Sequence, residues 1–263
     1  MSTGEDGFRT VPGRPSSGRA VVLLGDSCTF GLGVNDDESV PAALQKLRPD
    51  LRVVNAGVPG YSAFQGRRLF ARNGSGWKPD LVFITFGFND ATAWDGSSDR
   101  DQAKRAGRKS GVVPWLLTHS RFAQMVQGIV TSFSSLRPAP DPTTLRPPTD
   151  ARPRLTPQEF EEEIRGLAGE VRAGGAKPVL VVWPARASVA GRQTPEGAHQ
   201  DVLRRLSATE TVVDLLPVFQ GAPNPEGLYV DAVHGSARAS EVAAKALSLN
   251  LGVSRSPQAP HRE

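Results

Sequence analysis

Short apolar runs alternate with longer amphipathic stretches along most of this chain, and that alternation limits the possible folds more than any other feature. Each run is rich in Val, Leu or Ile and has the length of a strand that is buried on both faces. The predicted strands are Arg19–Leu24, Leu51–Asn55, Asp80–Phe86, Pro178–Trp183 and Val212–Leu215. Because strands that alternate with helices are typical of parallel sheets, the sequence predicts an α/β fold with helices on both faces of the sheet.

Capping signals mark helices between the predicted strands. Ser62 and Gln65 have the spacing of a capping box, and Thr156 and Glu159 repeat that spacing with Pro157 at the first helical position. The predicted helices are Ser39–Leu47, Ser62–Gly74, Val112–Phe133, Thr156–Gly174, Glu196–Ser207 and Ala237–Leu249. Residues 91–111 are polar and rich in Gly and Ser, so we predict a loop there.

The predicted elements belong to one domain over residues 19–252. Residues 1–18 are rich in Gly, Pro and Ser, which predicts a flexible lead-in, and the polar residues 253–263 predict a disordered tail. Six prolines fall within about residues 134–155, which predicts an extended or disordered insertion. We do not expect this insertion to separate two domains, because candidate catalytic residues lie on both sides of it.

Charge and cysteine content exclude several classes of partner. The net charge is only +4, and the basic residues form no run of the kind that binds nucleic acid, so we predict no nucleic-acid partner. Cys28 is the single cysteine, so no intrachain disulfide can form. Residues 1–17 lack the apolar core of a signal peptide, and the apolar runs are too short to span a membrane. We therefore expect a cytoplasmic protein, or an extracytoplasmic one if an N-terminal anchor or signal has been removed.

Four short segments place polar residues where a parallel sheet binds its ligands. Gly25–Ser27, Asn55–Gly57 and Gly87–Asp90 follow the first three predicted strands, and Asp231–His234 precedes the last predicted helix. In open α/β sheets, ligands bind beyond the carboxyl ends of the strands. We therefore expect the chemistry of this chain to be carried by these segments.

Ser27, Asp231 and His234 have the chemistry of a catalytic triad. A serine hydroxyl is a poor nucleophile unless a base removes its proton, and His234 is the candidate base. Asp231, three residues earlier, can accept a hydrogen bond from one ring nitrogen and leave the other to face Ser27. Gly57 allows the backbone to approach a ligand closely, and the Asn89 side chain offers two N–H groups without adding charge.

Each of these residues also has a purely structural interpretation when it is taken alone. Ser27 could cap a helix, Asn89 and Asp90 could be turn residues, and Gly57 could serve only a turn. The presence of all four segments in one chain favours the catalytic interpretation. We interpret Cys28 as a small buried hydrophobe and not as a nucleophile. The histidines that lack a motif, and that we expect to be ordinary surface residues, are His119, His199 and His261.

In their order and their position at strand ends, the four segments resemble those of the SGNH hydrolases, also called GDSL-like lipases and acylhydrolases. The resemblance extends from Leu24 to His234. It implies a flavodoxin-like, three-layer α/β/α sandwich with a five-stranded parallel sheet. The residues around Ser27 depart from the Gly-x-Ser-x-Gly elbow of the α/β-hydrolases, which favours the SGNH interpretation.

The resemblance also implies an activity and a role for each residue. The activity is that of an esterase in which Ser27 attacks the ester and forms an acyl-serine intermediate, with His234 and Asp231 as its partners. The implied oxyanion donors are the backbone N–H groups of Ser27 and Gly57 and the side-chain amide of Asn89. Asp26 and Asp90 are expected to brace their loops without touching the substrate. No metal and no organic cofactor is implied.

The expected substrate is an ester with a short acyl group on a carbohydrate or another small molecule, because the sequence shows no extended apolar groove. Aromatic residues such as Trp94 are more often part of a core than of an acyl pocket. Two other functions stay open. One is an acyltransferase that moves the acyl group to a sugar hydroxyl, and the other is a non-catalytic module that binds an acylated glycan.

Overall fold

The computed structural model describes residues 2–4, 7–93, 97–108 and 152–251. Trp94, the helix predicted over Val112–Phe133, most of the Pro-rich insertion and the predicted tail lie outside the described residues. The chain divides into two compact units, one formed by Met1–Ala91 with Pro157–Glu263 and the other by Thr92–Thr156. The sheet and the candidate site belong to the first of these units.

Five parallel strands form the sheet of the larger unit. They are β1 (Arg19–Gly25), β2 (Leu51–Gly57), β3 (Leu81–Thr85), β4 (Lys177–Val182) and β5 (Thr211–Asp214). Their order across the sheet is β2-β1-β3-β4-β5. Gly25 at the end of β1 lies opposite Gly57 of β2 and Thr85 of β3, so these three strands end at the same edge. The predicted α/β fold with a parallel sheet is confirmed.

Helices follow the strands in the predicted alternation. They are α1 (Ser27–Phe30), α2 (Val40–Leu47), α3 (Ala63–Trp77), α4 (Phe88–Ala91), α5 (Asp99–Arg108), α6 (Pro157–Ala173), α7 (Arg186–Val189), α8 (Gly197–Arg205), α9 (Leu215–Gln220) and α10 (Ala237–Ser248). The capping box predicted at Ser62 and Gln65 is present at the start of α3. Among the described residues, none of the helices has the length and apolar character needed to cross a bilayer.

The sheet separates two apolar cores. Helices α2, α9 and α10 pack together, and helices α3, α6 and α8 form a second group. Val21 and Leu23 of β1 belong to the core that also contains buried residues of α2 and α10. Because successive side chains of a strand point to opposite faces, Val22 and Leu24, which are fully buried, face the other core. The result is a three-layer sandwich.

In the smaller unit, the structure corrects the prediction of a loop over residues 91–111. Asp99–Arg108 form α5, and Ser98 Oγ accepts a hydrogen bond from Asp101 N at 3.1 Å at its start. Acidic residues in the first turn also favour a helix. The sequence of α5 is strongly polar and has no apolar stripe, so hydrophobic periodicity could not reveal it. Arg154 Nε donates to Asp99 Oδ1 at 2.9 Å within the same unit.

The structure also differs from two expectations of exposure. Arg9 and Val11, within the predicted flexible lead-in, are buried, and Val11 joins the core beside α2. His199, expected at the surface, is buried in α8, and its ring meets the ring of Phe160 edge-on at 5.2 Å. Val11 and His199 are buried through apolar and ring contacts, and Arg9 is buried through hydrogen bonds to backbone carbonyls. The polar sequence around these residues does not indicate either kind of contact.

Candidate active site

Ser27 begins the one-turn helix α1 directly after β1. Asp26 caps this helix, since its Oδ1 accepts a hydrogen bond from Cys28 N at 2.9 Å. Gly25 has no room for a side chain, because a Cβ would lie 2.1 Å from Thr29 Oγ1. Ser27 is 8% exposed. As the first helical residue it has a backbone N–H with no partner inside the helix, which leaves this donor at the carboxyl edge of the sheet.

Asp231 shapes the loop that carries His234, residues 229–235, which we call the histidine loop. Its Oδ1 accepts hydrogen bonds from Val233 N at 2.9 Å and from His234 N at 2.8 Å. Val230 N donates to His234 O at 2.9 Å and closes the same loop. The aspartate therefore fixes the backbone beneath the histidine as well as its ring.

Ser27, His234 and Asp231 form a continuous hydrogen-bonded series. His234 Nε2 lies 2.8 Å from Ser27 Oγ, and His234 Nδ1 lies 2.6 Å from Asp231 Oδ2. The His234 side chain is 15% exposed and that of Asp231 is 53% exposed. Burial raises the pKa of Asp231, but hydrogen bonds from the His234 ring and from the backbone of His234 and Val233 outweigh it and hold the pKa below its ordinary value. The carboxylate is thus ionised and oriented at neutral pH.

The carbonyl oxygen of Val233 joins the histidine loop to two other elements. Trp183, which follows β4, donates from Nε1 to Val233 O at 3.0 Å. The Cys28 thiol in α1 lies 3.7 Å from the same oxygen and donates to it. Burial, with a smaller contribution from Asp26, raises the pKa of Cys28 well above its ordinary value, so the thiol keeps its proton. The residue after Ser27 and the residue before His234 are therefore linked directly.

Asp90 is fully buried and joins two loops at the edge of the sheet. Its Oδ1 accepts from Ala63 N, the first residue of α3, at 2.8 Å, and its Oδ2 accepts from Gly87 N at 2.9 Å. These bonds fix the turn that carries Asn89. The side chain has no contact with Ser27 in the described hydrogen-bond pattern.

Asn89 and Asp26 lie side by side next to Ser27. Asn89 Nδ2 donates to Tyr61 O at 3.1 Å and to Asp26 Oδ2 at 3.3 Å. Burial raises the pKa of Asp26 to about 6, while the hydrogen bond from Cys28 N and the nearby His234 lower it. The Asn89 amide is thus held in one orientation by a backbone carbonyl and a buried carboxyl group.

Gly57, predicted as an oxyanion donor, is the last residue of β2, and that role stays a prediction. Its N–H donates to Asn55 Oδ1 at 3.0 Å, so the backbone donor is already engaged. A Cβ at this position would lie 2.2 Å from Phe30 N. Glycine is required here because α1 passes directly over the end of β2, whether or not a ligand also approaches. No sequence motif distinguishes these two reasons for a glycine.

Sequence reasoning missed two residues that shape the site. Trp183 was assigned only to the end of a strand, although a tryptophan followed by Pro184 at a strand end is an available signal for a structured turn. The sequence places Asn55 at the turn before Gly57 but does not indicate the hydrogen bonds that its buried side chain makes. Both act through the backbone of other residues, which sequence patterns do not record.

The described residues offer a candidate nucleophile, a candidate base and a carboxylate that orients the base, and they contain no group of three or more His, Cys, Asp or Glu side chains placed to hold a metal ion. Such a serine–histidine–aspartate series is suited to acyl transfer through a covalent intermediate.

Comparison with known proteins gives one match to a family and several matches to solved structures. The family model of the GDSL-like Lipase/Acylhydrolase family matches residues 23–242. No curated protein matches the chain in sequence.

Three of the similar structures carry names that describe esterases or lipases. A lipase/acylhydrolase from Enterococcus faecalis is 18% identical, with a TM-score of 0.58 over 89% of this chain and 95% of that chain. The acetyl xylan esterase AlAXEase is 15% identical, with a TM-score of 0.57 over 88% of this chain and 99% of that chain. A variant of Axe2, an acetyl-xylooligosaccharide esterase from Geobacillus Stearmophilus, is 19% identical, with a TM-score of 0.54 over 91% of this chain and 98% of that chain. At these identities the matches establish the fold.

Proposed function

The chain belongs to the GDSL-like lipase/acylhydrolase family, a family of carboxylic ester hydrolases, and on that premise we propose that it cleaves its ester through an acyl-serine intermediate on Ser27. The observation that carries this proposal is the hydrogen-bonded series from Ser27 Oγ through the His234 ring to Asp231. Each member has the partner that acyl transfer requires.

In the first half of the reaction, Ser27 Oγ attacks the ester carbonyl carbon while His234 Nε2 takes the hydroxyl proton. The carbonyl π electrons move onto oxygen and give a tetrahedral oxyanion. When this intermediate collapses, the bond to the alcohol breaks and His234 protonates the leaving oxygen. In the second half, His234 deprotonates a water that attacks the acyl-serine carbonyl and gives a second tetrahedral oxyanion. When this collapses, the bond from the acyl carbon to Ser27 Oγ breaks, His234 returns the proton to Oγ, and the free acid leaves.

The oxyanion is assigned to the Ser27 backbone N–H and the Asn89 side-chain amide, and each such donor is worth about 3–4 kcal/mol in the transition state. The Asn89 amide already donates to Tyr61 O and Asp26 Oδ2, so binding of the oxyanion exchanges the longer bond, to Asp26, for one to the substrate. Gly57 N–H is the third proposed donor, and like the Asn89 amide it would exchange an existing bond, here to Asn55 Oδ1, for one to the substrate.

The proposed substrate is an ester of a short acyl group, such as acetate, with a carbohydrate or another small alcohol. Two of the similar structures are named as esterases that act on acetylated xylan or xylooligosaccharides, which supports this choice. The half-exposed Asp231 also supports it, because a triad near the surface is accessible to a bulky alcohol. Faster turnover of long-chain than of acetyl p-nitrophenyl esters would contradict the assignment.

The nucleophile is tested by hydrolysis of p-nitrophenyl acetate by the wild type and by Ser27→Ala. The matched control is Ser248→Ala, which changes a half-buried serine at the end of α10. We expect wild type and Ser248→Ala to turn over equally and Ser27→Ala to fall to background. Equal activity of Ser27→Ala and wild type would refute the assignment of Ser27. Release of free acetate in the presence of an added sugar distinguishes hydrolysis from transfer, which would yield the acetylated sugar.

A further inference from the structure

Helix α1, which carries Ser27, is only one turn long. Within it, Phe30 N donates to Asp26 O at 2.9 Å and Gly31 N donates to Ser27 O at 3.0 Å. A single turn of helix is not stable by itself, because the first hydrogen bond does not offset the cost of ordering several residues. The position of Ser27 therefore depends on contacts that come from outside the helix.

Arg9 supplies such contacts at the C-terminal end of α1. Its Nη1 donates to Phe30 O at 2.9 Å and also to Gly31 O, and its Nη2 donates to Val34 O at 2.7 Å. The guanidinium carbon lies 5.0 Å from the centroid of the Phe30 ring. Arg9 is only 2% exposed, so these bonds form away from solvent. One side chain thus binds three backbone carbonyl groups in and directly after the helix.

Asp36 completes the surroundings of the Arg9 guanidinium. Its Oδ1 accepts from Arg9 Nε at 2.9 Å, and its Oδ2 accepts from the backbone N and the Oγ of Ser2, both at 2.8 Å. Nearby in the chain, the Phe8 ring meets the Trp77 ring edge-on at 5.3 Å. The charge of the buried arginine is therefore paired, and the segment that carries it is fixed on both sides.

Phe30 O connects this arrangement to the sheet. The same oxygen that accepts from Arg9 also accepts from Asn55 Nδ2 at 3.2 Å, and Asn55 Oδ1 accepts from Gly57 N at 3.0 Å. The end of α1 is thus held between the N-terminal segment and the end of β2. Loss of Arg9 would leave the hydrogen bond from Asn55 as the remaining described side-chain contact to this carbonyl.

We propose that Arg9 is a positioning residue for Ser27, because by binding the carbonyl groups of Phe30, Gly31 and Val34 it keeps α1 where Ser27 Oγ meets His234 Nε2. This inference rests on the proposed function, which makes Ser27 the nucleophile. The planar guanidinium binds several carbonyls at once from fixed directions, and an ammonium group cannot reproduce that geometry. Lysine should therefore restore the charge but only part of the positioning.

The test compares the wild type with Arg9→Met and Arg9→Lys. The matched control is Arg67→Met, which removes an arginine that joins α3 to α6 through Glu163 and Glu170. Three quantities are measured for each protein: kcat and KM for p-nitrophenyl acetate, the rate at which a p-nitrophenyl phosphonate ester labels Ser27, and amide hydrogen exchange over Ser27–Leu32.

We expect Arg9→Met to lower kcat and the labelling rate by about tenfold to hundredfold, as misplacement of a reacting group does, with KM within about twofold of wild type. The kcat and the labelling rate of Arg9→Lys should lie between those of Arg9→Met and those of the wild type. Exchange of the Phe30, Gly31 and Leu32 amides should accelerate in both variants, because local opening exposes them. Arg67→Met should lower the free energy of unfolding and leave kcat and these amides unchanged.

Three results would overturn the role of Arg9. The first is unchanged exchange in α1, and the second is faster exchange with wild-type kcat and labelling. The third is an equal loss of kcat in Arg67→Met at equal loss of stability. Failure of the proposed function looks different, because the wild type itself would then be no faster than Ser27→Ala and would not be labelled. In that case the positioning role of Arg9 would be refuted as well.

Discussion

Two carboxyl groups next to the Ser27–His234 pair have opposite surroundings. Asp231 is half-exposed and receives three hydrogen bonds, which hold its pKa below the ordinary value. It therefore adds stability above its unfolded-state pKa, and this contribution is lost as the pH falls. Asp26 is buried and has a pKa raised to about 6, so its effect on stability has the opposite sign.

The sign for Asp26 follows from proton binding. Its pKa is about 6 in the folded protein and 3.8 in the ordinary, unfolded case. Between these two values the folded protein holds a proton that the unfolded chain has released, so stability decreases as the pH rises. A shift of about two pKa units corresponds to roughly 3 kcal/mol.

Asp26→Asn should remove this pH dependence. Asparagine keeps an oxygen that can accept from Cys28 N but cannot ionise. Between about pH 4 and pH 6.5 the wild type loses stability through Asp26 and the variant does not. We therefore expect the free energy of unfolding of the variant minus that of the wild type to increase by up to about 3 kcal/mol over this range. Urea denaturation across this pH range measures it. Asp37→Asn, at an exposed carboxylate, is the control, and parallel pH profiles for Asp26→Asn and wild type would contradict the assignment.

At the scale of secondary-structure elements, the site depends on where loops from separate strands meet. Helix α1 and the residue after β4 both donate to the carbonyl oxygen of Val233, which lies in the histidine loop. Pro184 O accepts from Tyr229 at 2.7 Å and adds a second link between the β4 end and the histidine loop. The distance between Ser27 and His234 is thus set by backbone contacts that neither residue makes itself.

Trp183→Phe should therefore reduce turnover more than substrate binding. The substitution keeps most of the apolar surface but removes the indole N–H, and the Cys28 thiol that remains is a weak donor. Loss of a hydrogen bond to a buried carbonyl costs about 1–3 kcal/mol. We expect kcat to fall about tenfold with little change in KM.

Phe219→Leu is the control for this prediction. Phe219 packs against the Trp183 ring at 5.4 Å but does not bind Val233, so its loss changes packing alone. Steady-state kinetics of the two variants separates the effects. If Phe219→Leu lowers kcat as much as Trp183→Phe does, the hydrogen bond to Val233 is not what positions His234.

The main elements were predictable because they repeat strong local signals. Buried apolar runs gave the strands, and the capping box at Ser62 gave the start of α3. Helix α5 was not predictable, because its residues are almost all polar and its first turn depends on Ser98 Oγ. The one-turn helices, such as α1, were also invisible, since a single turn shows no periodicity.

At the scale of the whole molecule, two separate cores stabilise the sheet. Leu44 of α2 is fully buried in one of them, while Leu47 of the same helix is exposed. Leu44→Ala should lower the free energy of unfolding by about 2–5 kcal/mol, because it removes buried methyl groups and leaves a cavity. Leu47→Ala should change it by less than about 1 kcal/mol.

Chemical denaturation of both leucine variants measures this difference. We expect kcat per folded molecule to stay close to wild type in each, because neither leucine contacts Ser27 or His234 in the described contacts. Equal stabilities of the two variants would mean that α2 does not contribute to the core as its burial indicates.

The candidate site was predictable in its chemistry and only partly in its geometry. The sequence indicated Ser27, His234 and Asp231, because a carboxylate three residues before a histidine is a readable pattern. It did not distinguish a glycine beside a ligand from one beneath a helix, and at Gly57 the structure shows the second reason, because α1 passes directly over it. Arg9 lies outside any pattern, since it acts on backbone carbonyls.

The strand order β2-β1-β3 has a consequence for how the sequence of this protein can change during evolution. The chain winds from β1 outward to β2 and then returns across β1 to β3, so neighbouring strands β1 and β3 send their loops to opposite sides and a crevice opens between them. Ser27 follows one of these strands and Asn89 follows the other. Residues 92–156 enter the chain directly after the Asn89 turn, so that segment can lengthen, shorten or vary its sequence while the strands and the triad keep their places. Insertions and deletions after the Asn89 turn can in this way accumulate among descendants of one ancestral scaffold without new catalytic chemistry.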